Sequence, residues 1–206
     1  MGRKNKRIKP LKTRPVYAPG VAESLGVQSV HRRETIVRVL ETAMLLWAMG
    51  MDPLAVHLLI MSQYRILEAI SLENGKGVGP ISRSLTEPAQ LTRVYDFLRH
   101  SAGKLSEGVD FLPSNNELLL YDLLWSFHSI FGATTPMMKA LIAHVEISFA
   151  GDDPVFRRAA KQSLPKGFTM ESAISDFHSL SRHAFFEKLA KTFFDDAVAA
   201  GHIESP

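Results

Sequence analysis

The sequence of 206 residues contains no cysteine. This absence excludes disulfide bonds, thiolate zinc sites, iron–sulfur clusters and cysteine nucleophiles. A run of apolar residues long enough to cross a membrane is missing too: the stretch from Leu54 to Met61 is interrupted by His57 and falls short of the ~20 residues that a span requires. The charged N-terminus has no apolar segment behind it and is not a secretory signal, so we expect a cytoplasmic protein with no membrane partner.

Several motifs of catalytic and cofactor-binding proteins are also missing. The glycine-containing stretch 75–79 lacks the Gly-Lys-Ser/Thr ending of a phosphate-binding loop, and no Gly-x-Ser-x-Gly, His-Glu-x-x-His or EF-hand motif occurs. His178 and His183 would lie ~140° apart around a helix, which is a poor geometry for a shared metal ion. We therefore expect neither a metal nor a cofactor.

Basic residues are concentrated at the N-terminus. Seven of the 24 Lys and Arg residues fall within positions 1–20, which contain no acidic residue, so the remaining 186 residues carry 17 basic and 21 acidic groups. A basic arm on a mildly acidic body favours contact with RNA or another polyanion. If every cation contacted duplex DNA, the salt dependence of the affinity would have a slope of roughly −6. The predicted nucleic-acid contacts are Arg3, Lys4, Lys6, Arg7, Lys9, Lys12 and Arg14. A solubilising tail with no specific partner is the alternative.

Residues 31–206 are predicted to form a single all-α domain behind a flexible arm of residues 1–30. Apolar residues recur at helical spacing, and no alternating pattern of a β-strand has a useful length, so we expect a bundle of about six to seven helices. Caps and prolines indicate where helices begin, and glycines indicate where they end. The predicted starts are Asp52-Pro53, Thr135-Pro136 and Asp153-Pro154, and the predicted ends are Gly50, Gly132 and Gly151.

Three further predictions concern single helices. The segment from Leu54 to Met61 is apolar nearly all round, which predicts that the second helix is central in the bundle. The sequence Ser-Asn-Asn-Glu that starts at Ser114 has the pattern of a capping box. Residues 170–200 form either one long helix or a helix broken near Ser181–His183, because the apolar stripe shifts there.

A polar group on the predicted third helix, over residues 86–104, is the first candidate site. Arg93, Asp96 and His100 share one helix face because they are spaced by three and four residues. An imidazole transfers protons near neutral pH, a carboxylate can orient it, and a guanidinium can bind phosphate. The alternative is a solvated face whose ion pairs contribute only tenths of a kcal/mol.

A second candidate is an internal polar site formed by His57, Tyr64 and Asp122. His57 interrupts an apolar run and aligns with Tyr64 along the second helix, so it is either a ligand or base in an internal pocket or a core histidine with a polar neighbour. Asp122 lies on an otherwise apolar helix, which is typical of a hydrogen-bond network between helices. A site would form if His57, His100 and Asp122 converged between the second, third and fourth helices.

Three segments resemble a family of uncharacterised bacterial all-helical proteins. They are Met51–His57, Asp96–His100 and Asn116–Asp122, and the resemblance covers residues 34–156. This family supplies no established activity. More remotely, the Arg93-x6-His100 spacing is similar to the R-x4–6-H signature of HEPN domains. That resemblance implies a helical bundle, a homodimer and metal-independent ribonuclease activity, in which Arg93 binds phosphate and His100 assists transfer to the RNA 2′-hydroxyl.

These observations support three hypotheses for function. The leading one is a non-catalytic helical module that associates with RNA or with a partner protein through its basic arm. The second is a HEPN-type ribonuclease that uses Arg93 and His100. The third is a helical bundle that binds a small ligand in an internal pocket beside His57.

Overall fold

The computed structural model of the chain describes residues 31–73, 93–97, 108–151 and 153–202, and this part is all-α, as predicted. No strand occurs in these ranges. Residues 93–97 are a short helical segment, and the predicted arm lies outside the described residues. The other helices are α1 (Arg32–Ala48), α2 (Pro53–Glu73), α3 (Asn115–Phe131), α4 (Pro136–Phe149), α5 (Pro154–Ser163), α6 (Met170–Ser179) and α7 (Arg182–Ala199).

The three predicted starts with proline at the first helical position are confirmed. The backbone N–H of Leu54 donates to Asp52 Oδ1 at 2.8 Å, and that of Val155 donates to Asp153 Oδ1 at 2.7 Å. Thr135 caps α4 in the same way, with its Oγ1 3.3 Å from the amide nitrogen of Met138. Each side chain satisfies an N–H group that has no partner inside its helix.

The capping box predicted at Ser114 is wrong. Ser114 has φ −61° and ψ −22°, which is already helical backbone, and its side chain makes no cap hydrogen bond. An N-cap side chain reaches the first turn only from an extended backbone. A capping box does occur at α6, where Thr169 and Ser172 exchange two hydrogen bonds of 3.1 Å.

The segment 170–200 is a broken helix rather than one long helix. Leu180 has an extended backbone between α6 and α7, with φ −97° and ψ 158°. Ser181 then caps α7 by accepting a hydrogen bond from the backbone N–H of Ala184 at 3.2 Å. Both α6 and α7 pack against α4.

Among the helices of the described ranges, α4 rather than α2 is the central one, which differs from the prediction for α2. α4 packs against α1, α3, α5, α6 and α7, and every residue from Ala140 to Ile147 is buried. α2 packs mainly against α1 and α3, and its Leu54 and Leu58 each remain 37% exposed. These two leucines show that part of the apolar surface of α2 faces outward, and the length of its apolar run does not reveal this.

None of the helices in the described ranges is long and apolar enough to cross a membrane. The first turn of α3 lies beside the start of α2, as a hydrogen bond from Asn116 Nδ2 to the carbonyl oxygen of Pro53 shows. This junction forms one wall of the cleft described next.

Candidate functional site: a cleft beside His57

A cleft of about 420 Å³ opens between α2, the 93–97 segment and the chain that leads into α3. Its size falls within the range of small-molecule sites in proteins. One wall is apolar and the other carries charge, a combination that can hold a ligand and fix its orientation. The described residues that line the cleft are His57, Arg93, Val94, Asp110, Phe111, Leu112 and Asn115.

His57 is held in one orientation by Asn116. The imidazole is 3% exposed, and its Nδ1 lies 3.0 Å from Asn116 Oδ1. The amide of Asn116 cannot turn over without loss, because its Nδ2 donates to the carbonyl oxygen of Pro53 at 2.8 Å. Asn116 therefore offers an acceptor to His57, which places a proton on Nδ1. In the neutral ring the lone pair is then on Nε2.

Phe111 fixes the ring of His57 from a second side. The two ring centroids are 5.2 Å apart with an interplanar angle of 65°, which is an edge-to-face contact. Such contacts contribute about 0.5–1.5 kcal/mol beyond area burial in aromatic pairs. Val94 is buried next to this wall, so the inner end of the cleft is apolar.

Two exposed charges lie on the cleft, one of each sign. Arg93 begins the described helical segment, and Asp110 lies in the chain before α3. A guanidinium offers a planar fork of N–H donors that matches phosphate, and a carboxylate accepts hydrogen bonds from hydroxyl groups. Together with His57, the cleft thus presents donors for an anion and an acceptor for a neutral polar group.

The structure brings together two residues that the sequence placed in separate candidate sites. Arg93 was predicted to act with Asp96 and His100, yet it shares the cleft with His57. Asp96 is half-buried on the same segment but does not line the cleft, and His100 lies outside the described residues. The seven basic residues of the arm also lie outside the described part of the chain.

The predicted internal set of His57, Tyr64 and Asp122 is not assembled at this cleft. Asp122 is buried and Tyr64 is half-buried, and neither lines the cavity. The side chain that orients His57 is Asn116, six residues before Asp122 on α3. The predicted convergence with His100 falls outside the described residues.

Sequence reasoning missed Asn116, Asp110 and Phe111. Asn116 stood inside the segment interpreted as a capping box, and that interpretation hid its role. A signal was available, since an asparagine at the second position of an apolar helix is a polar residue that needs a partner when buried. Asp110 and Phe111 carried no signal, because they belong to a connection without periodicity.

In the described ranges, no group of three His, Asp or Glu side chains is arranged to hold a metal ion. Comparisons with family models, curated proteins and solved structures give no match for this chain. The two family resemblances therefore remain predictions.

Proposed function

We propose that the protein is a helical bundle that binds a small phosphorylated ligand, of the nucleoside monophosphate class, in the cleft beside His57. The supporting observation is that a buried, oriented imidazole and an exposed guanidinium line the same cavity. Arg93 would bind the phosphate, and the rings of His57 and Phe111 would form the wall against which the rest of the ligand packs. Asp110 would accept hydrogen bonds from ribose hydroxyls, as acidic residues do in many nucleotide sites.

Titration of the full chain with AMP, adenosine and inorganic phosphate tests this proposal. At an AMP concentration 100 times its Kd, the folded state gains about 2.7 kcal/mol. For a chain of this size, that gain raises the Tm by roughly 5–10 °C. We expect adenosine to bind at least tenfold more weakly than AMP, because it lacks the group that Arg93 recognises.

Arg93→Gln should weaken AMP binding at least tenfold and leave adenosine binding nearly unchanged. Arg158→Gln is the matched control, since Arg158 is exposed on α5 and does not line the cleft. If Arg93→Gln binds AMP as the parent does, the assignment of the phosphate to this cleft is wrong.

RNA association through the arm is a second candidate, and it is favoured by the seven cations without an acid in residues 1–20. Nucleotides and RNA both occur in the cytoplasm, the compartment that the sequence favours. If the protein is also a ribonuclease of the HEPN type, the metal-free protein should cleave RNA and the His100→Ala variant should not. Absence of cleavage by the parent would leave a non-catalytic RNA-binding role and would remove the ribonuclease from consideration.

A further inference from the structure

A second cleft, of about 380 Å³, lies on a different part of the bundle, between the first turn of α3 and the helices α4, α6 and α7. Among the described residues, none lines both this cleft and the cleft beside His57. Glu117 contributes to it although the preceding residue, Asn116, contacts His57. Consecutive residues of a helix point about 100° apart, so the first turn of α3 can supply both clefts.

Arg182 supplies a positive charge that is fixed in place. Its Nη1 donates to the carbonyl oxygen of Trp47 at 3.2 Å, and its guanidinium carbon lies 5.0 Å from the centroid of the Trp47 ring. One hydrogen bond and one cation–π contact thus orient the side chain, while its other N–H groups are not needed for these contacts.

Glu117 supplies the opposite charge from across the cleft. The hydroxyl oxygen of Ser148 lies 3.4 Å from Glu117 Oε1, while its proton is directed to the carbonyl oxygen of Val145 at 2.7 Å. Burial raises the pKa of Glu117, and the positive charge of Arg182 opposes that rise. The two charges influence each other, yet neither forms an ion pair within the described ranges.

His144 lies at the inner end of the cleft, enclosed by aromatic rings. It is 3% exposed, and its ring centroid is 5.0 Å from that of Trp47 and 5.4 Å from those of Phe177 and Phe185. Burial first, and then the charge of Arg182, lower the pKa of His144 to about 4, so the ring is neutral at pH 7. Its buried Nδ1 has no hydrogen-bond partner among the described residues.

We propose that this second cleft binds a small zwitterion, an α-amino acid with an apolar side chain. The carboxylate of the ligand would pair with Arg182, its ammonium group with Glu117, and its side chain would contact Phe177 and Phe185. A dianionic phosphate would be repelled by Glu117, and a simple amine would be repelled by Arg182. Only a ligand that carries both charges satisfies both residues, and a neutral His144 repels neither charge.

Three ligands of nearly equal shape separate these possibilities: L-phenylalanine, phenethylamine, which lacks the carboxylate, and 3-phenylpropionate, which lacks the amine. Calorimetric titration of the full chain at pH 7 should show that L-phenylalanine binds at least tenfold more tightly than either analogue. The proposal is overturned if an analogue binds as tightly as L-phenylalanine, or if neither L-phenylalanine nor L-leucine binds.

Two variants then test which charged group of the ligand each of Glu117 and Arg182 binds. Glu117→Gln should lower the affinity for L-phenylalanine at least tenfold while leaving the affinity for 3-phenylpropionate equal or higher. Retained binding of 3-phenylpropionate shows that the cleft is intact, so the loss cannot come from misfolding. Glu187→Gln is the control, because Glu187 is exposed on α7 and is not part of the cleft.

Arg182→Gln should have the converse effect, with at least a tenfold loss for L-phenylalanine and an equal or higher affinity for phenethylamine. If either variant binds L-phenylalanine as the parent does, the assignment of its charge is wrong. AMP binding in the first cleft should be unchanged in both variants, so failure here is distinguishable from failure of the proposed function.

Discussion

Asn116 links the stability of the bundle to the geometry of the first cleft. Its side chain accepts from His57 and donates to the carbonyl oxygen of Pro53, and the residue is 1% exposed. Both bonds join the first turn of α3 to α2. A buried polar group that loses its hydrogen-bond partner costs about 1–3 kcal/mol. Loss of the Asn116 amide would therefore destabilise the fold mainly through the two groups to which it bonds.

Asn116→Ala is therefore expected to lower the free energy of unfolding by about 2–4 kcal/mol, since it removes the amide that bonds both the Pro53 carbonyl and His57 Nδ1. Urea unfolding measures this loss. Ser114→Ala is the control, because the Ser114 hydroxyl makes no cap hydrogen bond, and its cost should stay below about 0.5 kcal/mol. Equal costs for the two variants would contradict the role given to Asn116.

Titration of His144 destabilises the folded protein as the pH falls, whereas titration of two carboxyl groups has the opposite effect. The pKa of His144 falls to about 4 in the folded protein, from an ordinary value of 6.5. The unfolded chain therefore binds a proton at a higher pH than the folded one, and stability is lost as the pH falls from about 6.5 to about 4. Burial raises the pKa of Glu117 and of Glu146, and these groups favour the folded state as the pH falls.

His144→Gln isolates the histidine contribution, because it leaves both carboxyl groups in place. The parent should lose more free energy of unfolding between pH 7 and pH 4 than the variant, by a difference of about 3 kcal/mol. Urea unfolding at several pH values measures the difference. Parallel pH profiles for the two proteins would show that His144 titrates normally in the folded state.

The sequence revealed His57 and Arg93 but not the partners that give them a role. A histidine inside an apolar run can be recognised from the sequence alone, because a polar residue interrupts the apolar pattern of the helix. Asn116 is 59 residues away from His57 along the chain, so only the packing of α2 against α3 brings them together. His144 and Glu117 were missed for the same reason, since their significance comes from Arg182 and Trp47 on other helices.

At the scale of helices, starts were more predictable than positions in the bundle. The starts at Asp52, Thr135 and Asp153 depend on bonds that span two or three residues, so the local sequence contains the whole cause. The central place of α4 depends on contacts with helices far along the chain. α2 and α4 are both rich in apolar residues, and composition alone does not distinguish them.

Equivalent leucine substitutions on the two helices test which one is central. Leu141→Ala on α4 removes a fully buried side chain and should cost about 2–5 kcal/mol. Leu58→Ala on α2 removes a side chain that is 37% exposed and should cost less than about 1.5 kcal/mol. Equilibrium unfolding in urea compares the two, and a larger loss for Leu58→Ala would contradict the packing described here.

At the scale of the whole molecule, both clefts are products of the assembled bundle. Each is lined by residues from at least three separate parts of the chain, and the two meet at the first turn of α3. No single helix contains either set of described lining residues, so no short sequence motif spans either cleft. The basic arm is different, because its charge is concentrated in 20 consecutive residues and needs no folding to be recognised.

Deletion of residues 1–20 should therefore separate RNA binding from ligand binding. We expect the affinity for RNA to fall and its dependence on salt to become shallower, because seven cations no longer release counterions from phosphate. AMP and L-phenylalanine should bind with unchanged Kd, because the described residues that line the two clefts lie between His57 and Phe185. Filter binding at several salt concentrations gives the slope, and calorimetry gives the two Kd values. An RNA affinity and slope equal to those of the full chain would assign RNA binding to the bundle, where Arg93→Gln would be the next variant to test.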